Sequence, residues 1–217
     1  MRKITFSLGE FYHIYNRGTD KRAIFKEKND LLRFFQSMEN FNTKDPVGSI
    51  YEQSFLKEIQ KKPKKPLVNF VAYCLNPNHY HFVLEPKVEQ GVEKFMHRIG
   101  TGYTKYFNAK YQRTGVLFQG KFKASHIDSN EYLLHLSAYV NLNNKVHQLG
   151  SRASKLVKSS WDEYTKAGFQ GESICEKDII LEQFGSRDEY SEFARDSLPQ
   201  MLERKKEEKE MQKLLID

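Results

Sequence analysis

The chain has 217 residues, 39% hydrophobic and 29% charged, with 16 Phe and 12 Tyr, a balance that suits a packed core and excludes a disordered chain. Its net charge of +7 is concentrated in residues 1–150, where 23 Lys and Arg meet 13 Asp and Glu, while residues 151–217 hold 12 against 15. Basic surface points to a polyanion such as nucleic acid, two distant cysteines exclude a disulfide framework or a four-cysteine zinc site, and the lack of a long apolar run or signal-peptide core predicts a cytoplasmic protein with no membrane partner.

Phe11 to Tyr15 reads as a first strand, stopped by Asn16-Arg17-Gly18. A helix follows over about 29–41, with Leu31, Leu32, Phe35 and Met38 at helical spacing and Asn29 or Asp30 as its cap. Residues 42–66 read as an insertion, broken by Asp45-Pro46 and Gly48-Ser49. It allows one short helix around Ile50, Phe55 and Ile59, then a solvated, lysine-rich loop from Lys57 to Lys65. Leu67 to Leu75 and His79 to Glu85 form a hairpin across the Asn76-Pro77-Asn78 turn. A second helix spans about 91–108, with Val92, Phe95, Met96, Ile99, Tyr103 and Phe107 as its core stripe. After a turn at Arg113-Thr114-Gly115, a last strand lies between Val116 and Ile127. Asp128 or Ser129 then caps a third helix that runs to about Asn143. Beyond Gly150 the chain reads as a packed loop around Trp161 and Tyr164, short helices over 178–184 and 187–198, and a frayed, charged tail from about 200.

The order strand, helix, strand, strand, helix, strand predicts an α+β fold, a ferredoxin-like βαββαβ core with an antiparallel sheet and helices on one face. The third helix would cover the other face, and a helical extension would follow. The expected domains are residues 1–150, with the insertion at 42–66, and an extension over 151–217.

Strand alternation turns His79 and His81 to one face and Tyr80 to the other. Two adjacent imidazoles suit a divalent transition metal. Tyr139 and Asn143, four residues apart, share a face of the third helix and would bring a phenol and an amide oxygen to the histidines. Such a set suits phosphoryl chemistry: a metal polarises phosphate and a tyrosine attacks it.

Pro77-Asn78-His79-Tyr80-His81 resembles the Pro-(Asn/Asp)-His-hydrophobe-His signature of the HUH single-strand nucleases. Tyr12 to Gly18, Arg113 to Lys123, Glu131 to Leu134 leading to Tyr139 to Asn143, and Ser159 to Tyr164 resemble, in order, further segments of the REP-associated tyrosine transposases. The resemblance implies His79 and His81 as metal ligands, Asn143 as the third, Tyr139 as nucleophile and Mg²⁺ or Mn²⁺ as the metal. It implies a single-stranded DNA endonuclease and strand-transferase that acts through a 5′-phosphotyrosine. The partner would be hairpin-bearing DNA, REP-like or an insertion-sequence end, in a bacterial cytoplasm. The long segment after Gly150 is similar to that of monomeric members, so a monomer is expected, with a helix-swapped homodimer as the alternative. A catalytically silent hairpin-DNA-binding regulator is the rival function. Two departures stand out: Tyr80 replaces the usual aliphatic residue, and Asn144-Lys145 follows Asn143 where proline is common.

Among other residues, Arg17, Arg113, Lys121 and Lys123 flank turns near the expected site and are candidate phosphate contacts. Tyr132 is the alternative nucleophile. His13, on the strand expected to neighbour that of His79, reads as a hydrogen-bonded structural residue with approach to the site as the alternative. His126 reads the same way, and His147 would replace Asn143 only if the helix ran past its expected end. Phe118 and Phe122 read as core, with base stacking as the alternative. Gly18, Gly115 and Gly120 serve the backbone.

Overall fold

The computed structural model describes residues 4–45, 48 and 65–214. The short helix expected around Ile50, Phe55 and Ile59 lies outside these residues, as does the lysine-rich loop up to its last residue, Lys65. Five antiparallel strands form one sheet: β1 (Phe11–Arg17), β2 (Val68–Asn76), β3 (His79–Pro86), β4 (Lys123–Ile127) and β5 (Lys158–Ser159), in the order β4-β1-β3-β2-β5. The first four give the ferredoxin-like arrangement. The fifth was not expected: a two-residue strand pairs Lys158 with Leu75 and Ser159 with Cys74, where the sequence suggested a loop.

Helices α1 (Lys28–Phe41) and α2 (Gly91–Lys110) cover one face. There Tyr80, 2% exposed, lies among Phe34, Phe82 and Phe118, with ring centroids at 5.5, 4.7 and 5.8 Å. Phe118 is therefore core, and Phe122 packs at the margin near Phe6. Helix α1 starts one residue earlier than expected and is capped by Glu27. Asp30 closes the capping box and is fully buried. Its carboxylate accepts from the backbone N–H of Lys26 and Glu27, from the Tyr106 and Tyr111 hydroxyls and from Lys110 Nζ, so it ties α1 to the end of α2. Those bonds outweigh burial, which alone would raise its pKa, and hold the carboxyl below its ordinary value.

Helix α3 (Asn130–Asn141) crosses the opposite face, and its N-cap Ser129 accepts from the Tyr132 N–H. It ends at Asn141, two residues before the expected end, and after the break at Leu142 the chain resumes a helical turn as α4 (Asn143–Val146). The C-terminal region supplies α5 (Ser151–Ser154), α6 (Trp161–Thr165), α7 (Asp178–Leu181), α8 (Arg187–Asp196) and α9 (Leu198–Leu214). It moors α3 to the sheet. Asn141 donates to Tyr190 Oη (2.8 Å) and accepts from Ser160 Oγ (2.6 Å), which in turn accepts from the Tyr73 N–H (2.9 Å). The expected frayed tail is thus a helix as far as Leu214, and its first turns pack beside α8 and α4. None of the helices described is long and apolar enough to cross a membrane.

Candidate metal and nucleophile site

The site begins at the hairpin turn. Pro77 and Asn78 link β2 to β3, with Asn76 paired to His79. The Pro77 carbonyl accepts from the N–H groups of Ile24 and Phe25, and the Asn78 carbonyl accepts from Gly18. Gly18 is required by close approach, since a Cβ there would lie 2.2 Å from the Arg22 carbonyl oxygen. In the register, Arg17 lies opposite His79, Tyr15 opposite His81 and Lys123, and His13 opposite Ser125. Cross-strand partners share a face. Hence His13, Tyr15, Arg17, His79, His81 and Lys123 all face α3.

Tyr139 comes down on this face from α3. Its ring stands edge-on to His81 (centroids 5.8 Å, 89°) and to His13 (6.3 Å, 85°). His79, His81 and His147 bring one ligand nitrogen each within 4.8 Å of one another. Asn143, fully buried, places Oδ1 3.0 Å from His79 Nε2. The sequence-derived set of His79, His81, Tyr139 and Asn143 is therefore brought together, and His147 joins it.

Hydrogen bonds assign the imidazole nitrogens. Asn78 Nδ2 donates to the Lys21 carbonyl, which turns Asn78 Oδ1 toward His79 Nδ1 at 2.6 Å. That nitrogen carries the proton, so Nε2 is a bare lone pair. It faces Asn143 Oδ1, acceptor against acceptor, with the Asn76 amide as the donor shared between them. The Asn143 Nδ2 is buried with no hydrogen-bond partner among the described residues. His81 Nδ1 lies 2.8 Å from His13 Nε2, which leaves His81 Nε2 for the site. The lone pairs of His79 Nε2, His81 Nε2 and Asn143 Oδ1 converge, and two imidazole nitrogens with an amide oxygen are a donor set that fits a divalent metal. Burial keeps the imidazoles neutral, the form that ligates: His13 falls to about 4, His79 is lowered and His81 is held well below its usual value.

The site opens into a cleft of about 1280 Å³. Arg17 and Lys123 line it, and Arg17 is steadied by Gln119. Lys121 is exposed just before β4, and Arg113 donates to Asn108 Oδ1 beside the Phe107 ring; neither lines the cleft. Tyr132, 40% exposed, lies on the cleft wall. His126 pairs with Glu10 at 2.7 Å, away from the site. Sequence reasoning missed Met201, Arg204 and Lys205 of α9, which form a second wall. Their signal was faint, because the tail's charges alternate without an apolar stripe.

Residues 12–144 match the sequence model of the family described as "Transposase IS200 like". The chain belongs to that family. Its members are transposases, so DNA transposition is the broad function of this chain. Among solved structures, this transposase is similar to one described as "Structure of the REP associates tyrosine transposase bound to a REP hairpin". The two are 14% identical, with 81% of this chain and 96% of that chain covered and a TM-score of 0.48. No curated protein matches it.

Proposed function

We propose that this family member cuts and rejoins single-stranded DNA through Tyr139, with a divalent metal, Mg²⁺ or Mn²⁺, at His79, His81 and Asn143. The observation that carries this reading is the placement of Tyr139 edge-on to His81, above two imidazoles whose Nε2 atoms turn into one cleft. A metal held there would polarise the scissile phosphate. The phenol of Tyr139 gives up its proton, and Oη bonds to phosphorus. The bond to the 3′ oxygen breaks, and that oxygen takes up a proton. The products are a 5′-phosphotyrosine and a free 3′-OH, and attack by another 3′-OH reverses or redirects the join. Arg17 and Lys123 hold the backbone in the cleft, and Lys121 and Arg113 meet DNA that extends beyond it.

The substrate is hairpin-bearing single-stranded DNA, the partner implied by the resemblance of Pro77 to His81 and its companion segments. Residues 1–150 act as the nuclease domain, and 151–217 as an extension that buttresses it. The bonds joining Asn141 to Ser160 and Tyr190 keep the nucleophile helix on its own sheet, which supports a monomer working in cis.

Incubation with a 3′-tailed hairpin DNA and Mn²⁺ tests this. The expected result is a protein–DNA adduct that survives denaturation, is lost in Tyr139→Phe and persists in Tyr132→Phe, with DNA binding retained in both. An adduct at full yield from Tyr139→Phe would overturn the nucleophile. No adduct from the unaltered protein on any hairpin would favour a hairpin-binding regulator.

A further inference from the structure

Beyond the ligand set proposed above, the chain places a third imidazole at the metal site. After the break at Leu142 the backbone turns helically once more, with His147 N–H donating to the Asn143 carbonyl at 3.0 Å. Asn143 and His147 are four residues apart and present the same face. The His147 ring lies 4.4 Å from that of His79, centroid to centroid, and its ligand nitrogen is within 4.8 Å of those of His79 and His81. Three imidazole nitrogens on one ion stand roughly 3.0–3.6 Å apart when each bond is about 2.1 Å. Ring rotations that move the nitrogens inward by about an ångström therefore close the set.

We infer that His147 is a metal ligand and that it sets metal choice, making the centre select Mn²⁺ or a similar first-row transition ion over Mg²⁺. The inference rests on the metal placement proposed above. The chemistry is that of the donors. Mg²⁺ is hard, prefers oxygen and keeps several of its waters. A site with three neutral nitrogens and one amide oxygen favours ions that accept imidazole, and it favours them increasingly along the first row. With only His79, His81 and Asn143 engaged, the centre has one nitrogen fewer and discriminates less. The position of His147 follows from local sequence. Asn144-Lys145-Val146 contains no proline or glycine, so the turn after Asn143 stays helical and delivers the ring.

Calorimetric titration of the metal-free protein with MnCl₂ and with MgCl₂ tests this without any catalytic readout. The unaltered protein is expected to bind Mn²⁺ at least about tenfold more tightly than Mg²⁺, and His147→Ala to lose about tenfold or more in Mn²⁺ affinity while Mg²⁺ affinity changes by less than about twofold. His79→Ala is the control. If His79→Ala abolishes Mn²⁺ binding and His147→Ala leaves it unchanged, the role of His147 is overturned and the proposed site stands. If neither variant alters binding, the metal placement itself fails. A second measurement avoids variants: pulsed EPR of the bound Mn²⁺ should show hyperfine coupling to three imidazole nitrogens, and coupling to only two would overturn the inference.

Discussion

Nε2 of His13 lies 2.8 Å from Nδ1 of His81, and both rings are about nine-tenths buried. A neutral His13 that accepts here forces the proton of His81 onto Nδ1 and aims Nε2 at the site. Partners of this kind orient metal-bound imidazoles and typically govern affinity by ten- to a hundredfold. His13→Ala is therefore expected to weaken Mn²⁺ binding by about tenfold or more, and His13→Gln, which retains an acceptor, to recover part of it. Calorimetry checks both; equal affinity in His13→Ala and the unaltered protein would refute the role.

Asn78 does for His79 what His13 does for His81, since its Oδ1 accepts from Nδ1 at 2.6 Å. Asn78→Ala should free His79 to change tautomer and reduce metal affinity by about tenfold. Asn78→Asp keeps the acceptor and should stay near the unaltered value. If Asn78→Asp fell as far as Asn78→Ala, the hydrogen bond would not be the cause.

Arg204 and Lys205 of α9 line the same cleft as Arg17 and Lys123. Each phosphate contact to a single strand contributes about 0.7 to the slope of log affinity against log salt. Arg204→Ala with Lys205→Ala should flatten that slope by about 1.4, read by fluorescence anisotropy with a labelled single strand. An unchanged slope would show that α9 stays clear of the DNA. The extension over 151–217 is net acidic, yet the charged α9 residues that line this wall, Arg204 and Lys205, are both cationic.

Asn141 links α3 to Ser160 and Tyr190 through two buried bonds. Asn141→Ala removes an acceptor from Ser160 and a donor to Tyr190, although each keeps another partner in Tyr73 or Ser137, at about 1 kcal/mol for each bond lost. Denaturant titration should show that loss, and adduct yield should drop in still-folded protein because Tyr139 is less firmly placed. Full yield alongside lost stability would confine the mooring to a folding role.

Asp30 predicts an acid-sensitive scaffold. Its folded carboxyl is depressed, so its contribution to stability is complete above the ordinary carboxylate value near 3.9 and disappears as pH falls through the lower folded value. Asp30→Ala should cost about 3 kcal/mol at neutral pH, because Lys110, Tyr106, Tyr111 and two backbone donors lose their acceptor. It should also remove the part of the acid-induced decline below pH 4 that the unaltered protein shows in thermal melts.

The sheet and its two-sided burial were legible because the patterns are local: alternation around His79-Tyr80-His81, and the stripe from Val92 to Phe107. The meeting of those histidines with Tyr139 and Asn143 was legible from helix spacing and from the motif. Other features depend on partners distant in the chain. Strand β5 is two residues long and exists because β2 offers an open edge. The bulge between Phe70 and Ala72 leaves no mark in composition. His13 read as a hydrogen-bonded histidine near the site, but its partner His81, 68 positions on, is fixed only by the register of β1 against β3. His147 was tied to the extent of a helix, and helix ends are governed by capping that only the folded Leu142 reveals.

The two-residue link of Pro77 and Asn78 makes the chain intolerant of length changes at that corner. One added residue would advance β3 by a single step against its neighbours, and every side chain along it would change sides. Tyr80 and Phe82 would be driven into the polar cleft, and both imidazoles would be pressed among the phenylalanines of α1 and α2. Such an insertion would cost the molecule its reaction chemistry and its core in one event. Surface loops that accept extra residues must therefore lie elsewhere, and the spacing between Asn76 and His79 is as much a part of the machinery as the histidines themselves.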